Sequence, residues 1–322
     1  MIETKTVLVL GAGASKPFGY PTGPELFNEV CKLLDHEGNA FNSIWKTGFD
    51  KDLIKDFRSK LYASGRNSVD EFLEHRPEFL NVGKHAMAAV LLQLEKPDNL
   101  YKHDILNNWY KFLFTKMNTS LDDFENNNIS FITFNYDRSL EYFLFNSIMN
   151  SYKIDEFNAA LKIRKIKILH LHGQLCKMPF YDDNAMKYID SYDSIYYVNK
   201  INRETYKLYQ YDILNSKNIS LAANGIKVIH DVENKNEYDE AIQIIKNAEK
   251  VYFLGFGYHP INLNRLKINE LTNPKPLIAG TALGLTDLEK REIDKLTNQN
   301  ISHLRLKDCD IVTFFREYYP LN

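Results

Sequence analysis

The run Lys5-Thr6-Val7-Leu8-Val9-Leu10, followed at once by Gly11-Ala12-Gly13-Ala14-Ser15, decides how the chain is read. It is β-branched and apolar without polar alternation, the pattern of a strand buried on both faces of a parallel sheet. Two glycines at the end of such a strand let the backbone turn sharply and approach a pyrophosphate, with helix-terminal amides to receive its charge. The third glycine of the dinucleotide fingerprint is missing, because Lys16 stands in its place. From this piece alone, nucleotide binding and plain close packing are both open readings.

Apolar runs of the same kind recur at Ile129 to Phe134, Ile166 to Leu171, Gly225 to Ile229, Val251 to Leu254, Pro276 to Ala279 and Ile301 to Leu304. Charge-rich, helix-like segments such as Asn234 to Lys250 and Thr286 to Leu296 separate most of them. Strands alternating with helices predict an α/β fold, a Rossmann-like parallel sheet with helices on both faces.

One interval breaks this rhythm. Between Pro24 and Asn128 the chain offers only amphipathic segments, near Glu25 to Leu34, Asp50 to Tyr62, Val69 to His75, Leu80 to Leu94 and Lys102 to Lys116. They predict a helical insertion, residues 25–126, after the first strand, with residues 1–24 and 127–322 as the core of one domain. Thr22-Gly23-Pro24-Glu25 and Ser68-Val69-Asp70-Glu71 both fit the capping box that starts a helix. A shorter insertion rich in Tyr and Asp is expected around Lys177 to Asn215.

The 322 residues suit one large domain or a core with a sizeable insertion. Lys plus Arg number 40 and Asp plus Glu 42, and the net charge of −2 gives no field that would gather nucleic acid or anionic membrane without specific contacts. A content of 44% apolar residues with a mean hydropathy of −0.39 fits a folded globular protein. No run reaches the roughly 18 apolar residues of a membrane span, and the start of the chain has no signal-peptide core, so a cytoplasmic location without membrane contact is expected. Cys31, Cys176 and Cys309 are odd in number and widely spaced, which predicts reduced thiols and no cysteine zinc site.

Three further strand ends carry chemistry. In Phe131-Ile132-Thr133-Phe134-Asn135-Tyr136-Asp137, Asn135 and Asp137 stand two apart at the carboxyl end of a strand, where side chains enter the ligand crevice. Asp137 alternatively caps a helix beginning near Arg138. In Ile168-Leu169-His170-Leu171-His172-Gly173, His172 is placed to act as a neutral base, and His170 reads as a hydrogen-bonded core residue. Gly255-Phe256-Gly257 ends another strand, and Gly280 a further one. Several glycine-bearing strand ends in one sheet make a long groove that suits an extended dinucleotide.

Together and in this order the motifs resemble the sirtuin family, specifically the sirtuin-like NAD-hydrolysing domains of bacterial anti-phage defence proteins. Gly11-Ala12-Gly13-Ala14-Ser15 with Gly19-Tyr20-Pro21 is similar to the glycine-rich cofactor loop, and Phe134-Asn135-Tyr136-Asp137 to the Gln-Asn-x-Asp motif. Leu171-His172-Gly173 is similar to the catalytic-histidine motif, and Gly255-Phe256-Gly257 to the ribose- and phosphate-contacting turn. The segment Ser68 to Glu74 also looks like the insertion of the defence branch. The chain departs from deacylating sirtuins in lacking their four-cysteine zinc module and in carrying Thr22-Gly23-Pro24 where they have Asp-Phe-Arg.

The resemblance therefore implies NAD as substrate, cleaved to nicotinamide and ADP-ribose with water as acceptor and without zinc. It implies that Gly11, Ala12, Gly13, Ala14 and Ser15 hold the pyrophosphate, with Gly255, Phe256 and Gly257 also on the dinucleotide; the strand-end pattern adds Gly280. Asn135 would orient the ribose and the attacking water, Asp137 would position the ribose or nicotinamide side, and His172 would be the general base. It further implies a trigger from homo-oligomerisation or from a partner such as a HerA-type ATPase or an Argonaute-type protein. Two alternatives stand beside it. One is a module that senses NAD or ADP-ribose without turnover; the other is a subunit of a DNA-processing complex, for which Lys162, Arg164, Lys165 and Lys167 are the local basic cluster.

Overall fold

The computed structural model describes residues 1–102, 108–183, 186, 215–228, 235–272 and 276–322. Six strands, β1 (Thr6–Leu10), β2 (Ile129–Thr133), β3 (Lys167–His170), β4 (Lys250–Leu254), β5 (Leu277–Thr281) and β6 (Leu306–Lys307), form one sheet in the order β3-β2-β1-β4-β5-β6. Every pairing is parallel. The architecture is the expected Rossmann-like α/β sheet.

The first strand is buried throughout because each of its faces meets a different core. Leu8 and Leu10 enter one apolar cluster with Phe131, Tyr252 and Leu254, while Val7 and Val9 enter a second with Ile132, Val251 and Phe253. That two-sided burial removes the selection for polar alternation and makes the central strands readable as continuous apolar runs.

Between β1 and β2 lie six α-helices among the described residues and no strand: α1 (Gly23–Leu33), α2 (Asn39–Trp45), α3 (Lys51–Tyr62), α4 (Val69–His75), α5 (Leu80–Leu92) and α6 (Trp109–Lys116). The hub is α5, buried at Val82, Gly83 and every residue from Ala86 to Leu92, and α1 to α4 pack around it. Thr22 and Glu25 form the expected capping box, with the Thr22 amide donating to Glu25 Oε2 at 2.8 Å. The second box is half-formed. Ser68 Oγ accepts from the Glu71 amide (3.1 Å), but the Glu71 carboxylate turns to the Asn67 amide and Arg66.

Three boundaries differ from the sequence reading. Gly225 to Ile229 is not a sheet strand among its described residues: Gly225 ends the helix Ser216–Gly225, and Ile226 makes only an isolated antiparallel bridge to Gly173. Ile301 to Leu304 is likewise not a strand; a 3-10 turn, His303–Arg305, intervenes and β6 begins at Leu306. The burial of Leu306 and the 70% exposure of Leu304 show why the later residue joins the sheet. The last helix of the insertion starts at Trp109, capped by Asn108, rather than near Lys102, and residues 103–107 lie outside the described residues. Most of the expected insertion at Lys177 to Asn215 also lies outside them.

Candidate active site

The strand order reverses direction between β1 and β4, and the crevice beyond their carboxyl ends is where open parallel sheets bind ligands. The glycines there join the two loops backbone to backbone. Gly11 N donates to Leu254 O (3.0 Å) and Gly13 N to Gly255 O (2.9 Å). A Cβ on Gly11 would lie 2.6 Å from Gly255 O, and one on Gly255, where φ is +56°, would lie 2.1 Å from Ala14 N. Close packing thus accounts for Gly11, Gly13 and Gly255.

The loop amides are also largely spent, since Ala14 N bonds Gly11 O and Ser15 N bonds Ala12 O. Among the described residues, the amides of Ala12, Phe256 and Gly257 take no hydrogen bond, and these are the donors open to an anion. Gly257 has open space where its Cβ would be. Gly280 stands apart: its missing Cβ leaves room for the Tyr258 hydroxyl, and it lines neither cavity of the crevice.

Two cavities share the wall formed by Ala12, Thr22, Gly23, Phe256 and Gly257. The inner one, about 190 Å³, gathers Ser15, Asn135, Asp137 and His172. The outer one, about 680 Å³, passes Gly13, Lys16 and Trp109 toward Thr281 and Ile311. No Lys or Arg lines the inner cavity.

A buried polar chain fixes Asn135. Its Nδ2 donates to Gly11 O and to Ser15 Oγ, each at 3.0 Å. The Ser15 hydroxyl in turn bonds Asp137. Asp137 Oδ1 also accepts from the Ser139 amide at 3.1 Å and from the Ser139 hydroxyl. Tyr110 Oη lies 2.7 Å from Ser139 Oγ and is the donor there, because the hydroxyl hydrogen of Ser139 is committed to Asp137. Burial raises the Asp137 pKa, and the hydroxyls of Ser139 and Ser15 oppose that shift. With both Asn135 amide hydrogens used, its Oδ1 is left without a hydrogen bond among the described residues.

Asp137 therefore does both things its sequence allows, receiving the first amide of the helix α7 (Ser139–Tyr152) and lining the cavity. His170 is the hydrogen-bonded core residue that its position predicts. Its Nδ1 lies 3.0 Å from Asn135 O and its Nε2 2.6 Å from Glu141 Oε1. Burial opposes its charge, but the adjacent Glu141 carboxylate outweighs burial and raises its pKa.

His172 has the opposite environment. It is buried, its Nε2 has no hydrogen-bond partner, and burial, with a smaller push from Arg265, lowers its pKa to about 4. The imidazole is therefore neutral near pH 7, the protonation state a base requires. The loop after it is braced by Gly173, whose φ is +70° and whose Cβ would lie 2.0 Å from Gly225 O. Lys227 N donates to His172 O at 2.8 Å. The misread segment at Gly225 thus holds the histidine loop instead of extending the sheet.

Several residues of the inner cavity escaped the sequence reading, among them His259, Asp70 and Asn262. Asp70, on α4, accepts a hydrogen bond from the Tyr136 hydroxyl, and Asn262 has a buried Oδ1 without a partner. The signal at Asp70 was masked by its place inside a capping box, and Asn262 follows the glycine turn in a short helix with no motif of its own.

Among the described residues, no group of three or more His, Cys, Asp or Glu is placed to hold a metal ion, and no helix is long and apolar enough to cross a membrane. Cys31 and Cys176 are buried and Cys309 is half-buried, all as free thiols. No family model matches the chain, and neither does any curated protein.

Proposed function

We propose that this protein is an NAD glycohydrolase that releases nicotinamide and ADP-ribose, with Asn135 and His172 as its catalytic residues. The observation that carries this reading is the neutral, buried imidazole of His172, its Nε2 unpartnered, in the same small cavity as the oriented amide of Asn135. A binding module has no need of a desolvated base.

The distribution of polar groups supports one orientation of the substrate. The inner cavity offers acceptors and carboxylates but no Lys or Arg, which suits a cationic nicotinamide and a hydroxyl-rich ribose. At about 190 Å³ it is smaller than the ~300–1,000 Å³ of whole-ligand sites, so it takes one end of the dinucleotide. The phosphates would meet the free amides of Ala12, Phe256 and Gly257, and the adenosine end would occupy the outer cavity.

In the reaction, the bond from ribose C1′ to the pyridinium nitrogen breaks and its electron pair neutralises the nicotinamide. Water adds to C1′, and its proton passes to His172 Nε2. Asn135 holds the ribose and the water through Oδ1, while Ser15 and Asp137 hold Asn135. Catalysis here is positioning and electrostatic stabilisation of the developing oxocarbenium.

The proposed biological role is depletion of NAD in the cytoplasm during anti-phage defence, without zinc, triggered by homo-oligomerisation or by a HerA-type ATPase or Argonaute-type partner. The deciding assay separates nicotinamide and ADP-ribose after incubation with NAD, for wild type, Asn135→Ala and His172→Ala. Release by wild type and by neither variant is expected. Tight calorimetric binding of NAD with no product, even with lysate from infected cells, would leave a sensor in place of an enzyme.

A further inference from the structure

The imidazole of His172 is flanked by two aromatic rings that are held in different ways. Phe134 meets it edge-on at 5.0 Å and is itself packed on Phe256 at 5.1 Å, within the sheet core. Tyr136 lies 6.3 Å from the imidazole, tilted by 35°, and its hydroxyl donates to Asp70. Asp70 belongs to the helical insertion, and both Asp70 and Tyr136 line the inner cavity. Neither the tyrosine hydroxyl nor the carboxylate from the insertion has a task in the chemistry assigned to Asn135 and His172.

We infer that the Tyr136–Asp70 pair selects the acceptor by size, favouring water over alcohols, and makes both residues determinants of acceptor specificity; this rests on the NAD-cleaving reading above. When the glycosidic bond breaks, the acceptor oxygen bonds to C1′ and gives its proton to His172 Nε2. An alcohol balances the same step, with alkyl ADP-ribose and nicotinamide as products. The base and the electrophile do not distinguish the two acceptors, so discrimination falls to the space beside the imidazole.

That space belongs to a cavity of about 190 Å³ and has the Tyr136 ring as one wall. The ring is buried and cannot swing outward without breaking its hydrogen bond to Asp70. With the imidazole and Tyr136 ring centres 6.3 Å apart, each carbon added to an acceptor beside His172 would crowd the ring more than a water does. The insertion thereby sets which nucleophile the sheet residues can use.

The experiment follows NAD cleavage in the presence of methanol, ethanol or 1-propanol, and separates ADP-ribose from its alkyl derivatives. Wild type, Asp70→Ala, Tyr136→Phe and Tyr136→Ala are compared, with near-ultraviolet circular dichroism to establish that each is folded. For wild type the ratio of alkyl to free ADP-ribose falls by about tenfold with each added carbon, the scale of one methylene in a tight pocket. Asp70→Ala and Tyr136→Ala flatten that series. Tyr136→Phe keeps the ring, loses only the hydrogen bond, and gives an intermediate slope, so the inference stays testable even if the alanine variants fail to fold. A wild-type series independent of alcohol length, or a wild-type slope in the folded variants, overturns the acceptor assignment alone. Absence of NAD cleavage by wild type overturns the underlying activity as well.

Discussion

Asn135 Nδ2 lies 3.0 Å from Ser15 Oγ, and this contact ties the end of β2 to the glycine loop that follows β1. Because the Ser15 hydrogen goes to Asp137, the orientation of Asn135 depends on a carboxylate it does not touch. Ser15→Ala should leave Asn135 with only Gly11 O as a fixed acceptor and lower kcat by about 10- to 100-fold, up to the scale of a roughly 1 Å misplacement. Asp137→Asn should act in the same direction. Steady-state kinetics with NAD check this, and a kcat unchanged in both variants would mean that the chain does not orient the amide.

His172 also gives the site a pH signature. Its folded-state pKa of about 4 lies below the ordinary histidine value of 6.5, so between these pH values the unfolded chain binds the proton and the folded chain does not. The contribution of His172 to stability is therefore complete above about pH 6.5 and is lost as pH falls toward 4, by roughly 3 kcal/mol in all. His170, whose pKa is raised, works in the opposite sense, losing its contribution as pH rises through its folded value. The informative comparison is wild type against His172→Asn by urea unfolding from pH 7 to pH 4. The variant should show the shallower decline, and parallel curves would contradict a buried neutral imidazole. The rate should likewise hold down to about pH 4 and fall below it as His172 protonates.

Much of the fold was legible because central strands buried on both faces write continuous apolar runs, as Thr6–Leu10 and Lys250–Leu254 do. Edges and boundaries were harder. Ile226 carries the same β-branched signal as a sheet residue, yet it makes a single bridge to Gly173, a tertiary choice that composition does not encode. At the site, Asn135, Asp137 and His172 were visible because each stands at a strand end. Asp70 was not, since it comes from a helix sixty-six residues from its Tyr136 partner and shares its local pattern with an ordinary helix start. The glycine loop was misleading in detail: the Gly13 amide is taken by Gly255 across the crevice, and those of Ala14 and Ser15 by the local carbonyls of Gly11 and Ala12 in a 3-10 turn.

A fully buried ion pair joins the insertion to the start of α7, just beyond β2. Arg138 donates from Nε and Nη2 to Glu95, at 2.7 to 2.9 Å, with neither side chain exposed. Arg138→Met would remove the guanidinium from a buried carboxylate and should destabilise the protein by about 3–5 kcal/mol, whereas joint replacement with Glu95→Leu should recover most of that loss. Denaturant unfolding of the two single variants and the double variant measures the coupling. Additive losses would show that the pair does not dock the insertion as a unit.

Two glycines of one turn separate packing from binding. Gly255 has φ of +56°, and a Cβ there would lie 2.1 Å from Ala14 N, so Gly255→Ala must part the loops that carry Ser15 and Phe256. Its strain and clash combine two of the recognised routes to severe destabilisation, and loss of folded protein or of several kcal/mol, on the order of 3 or more, is expected. Gly257 has nothing within 4 Å of the same position and lines both cavities. Gly257→Ala should unfold like wild type while raising KM for NAD, because its methyl group projects where the dinucleotide would pass. Thermal unfolding and substrate titration distinguish the two roles. A Gly257→Ala protein with unaltered KM would move the dinucleotide off this turn, even if Gly255→Ala behaved as predicted.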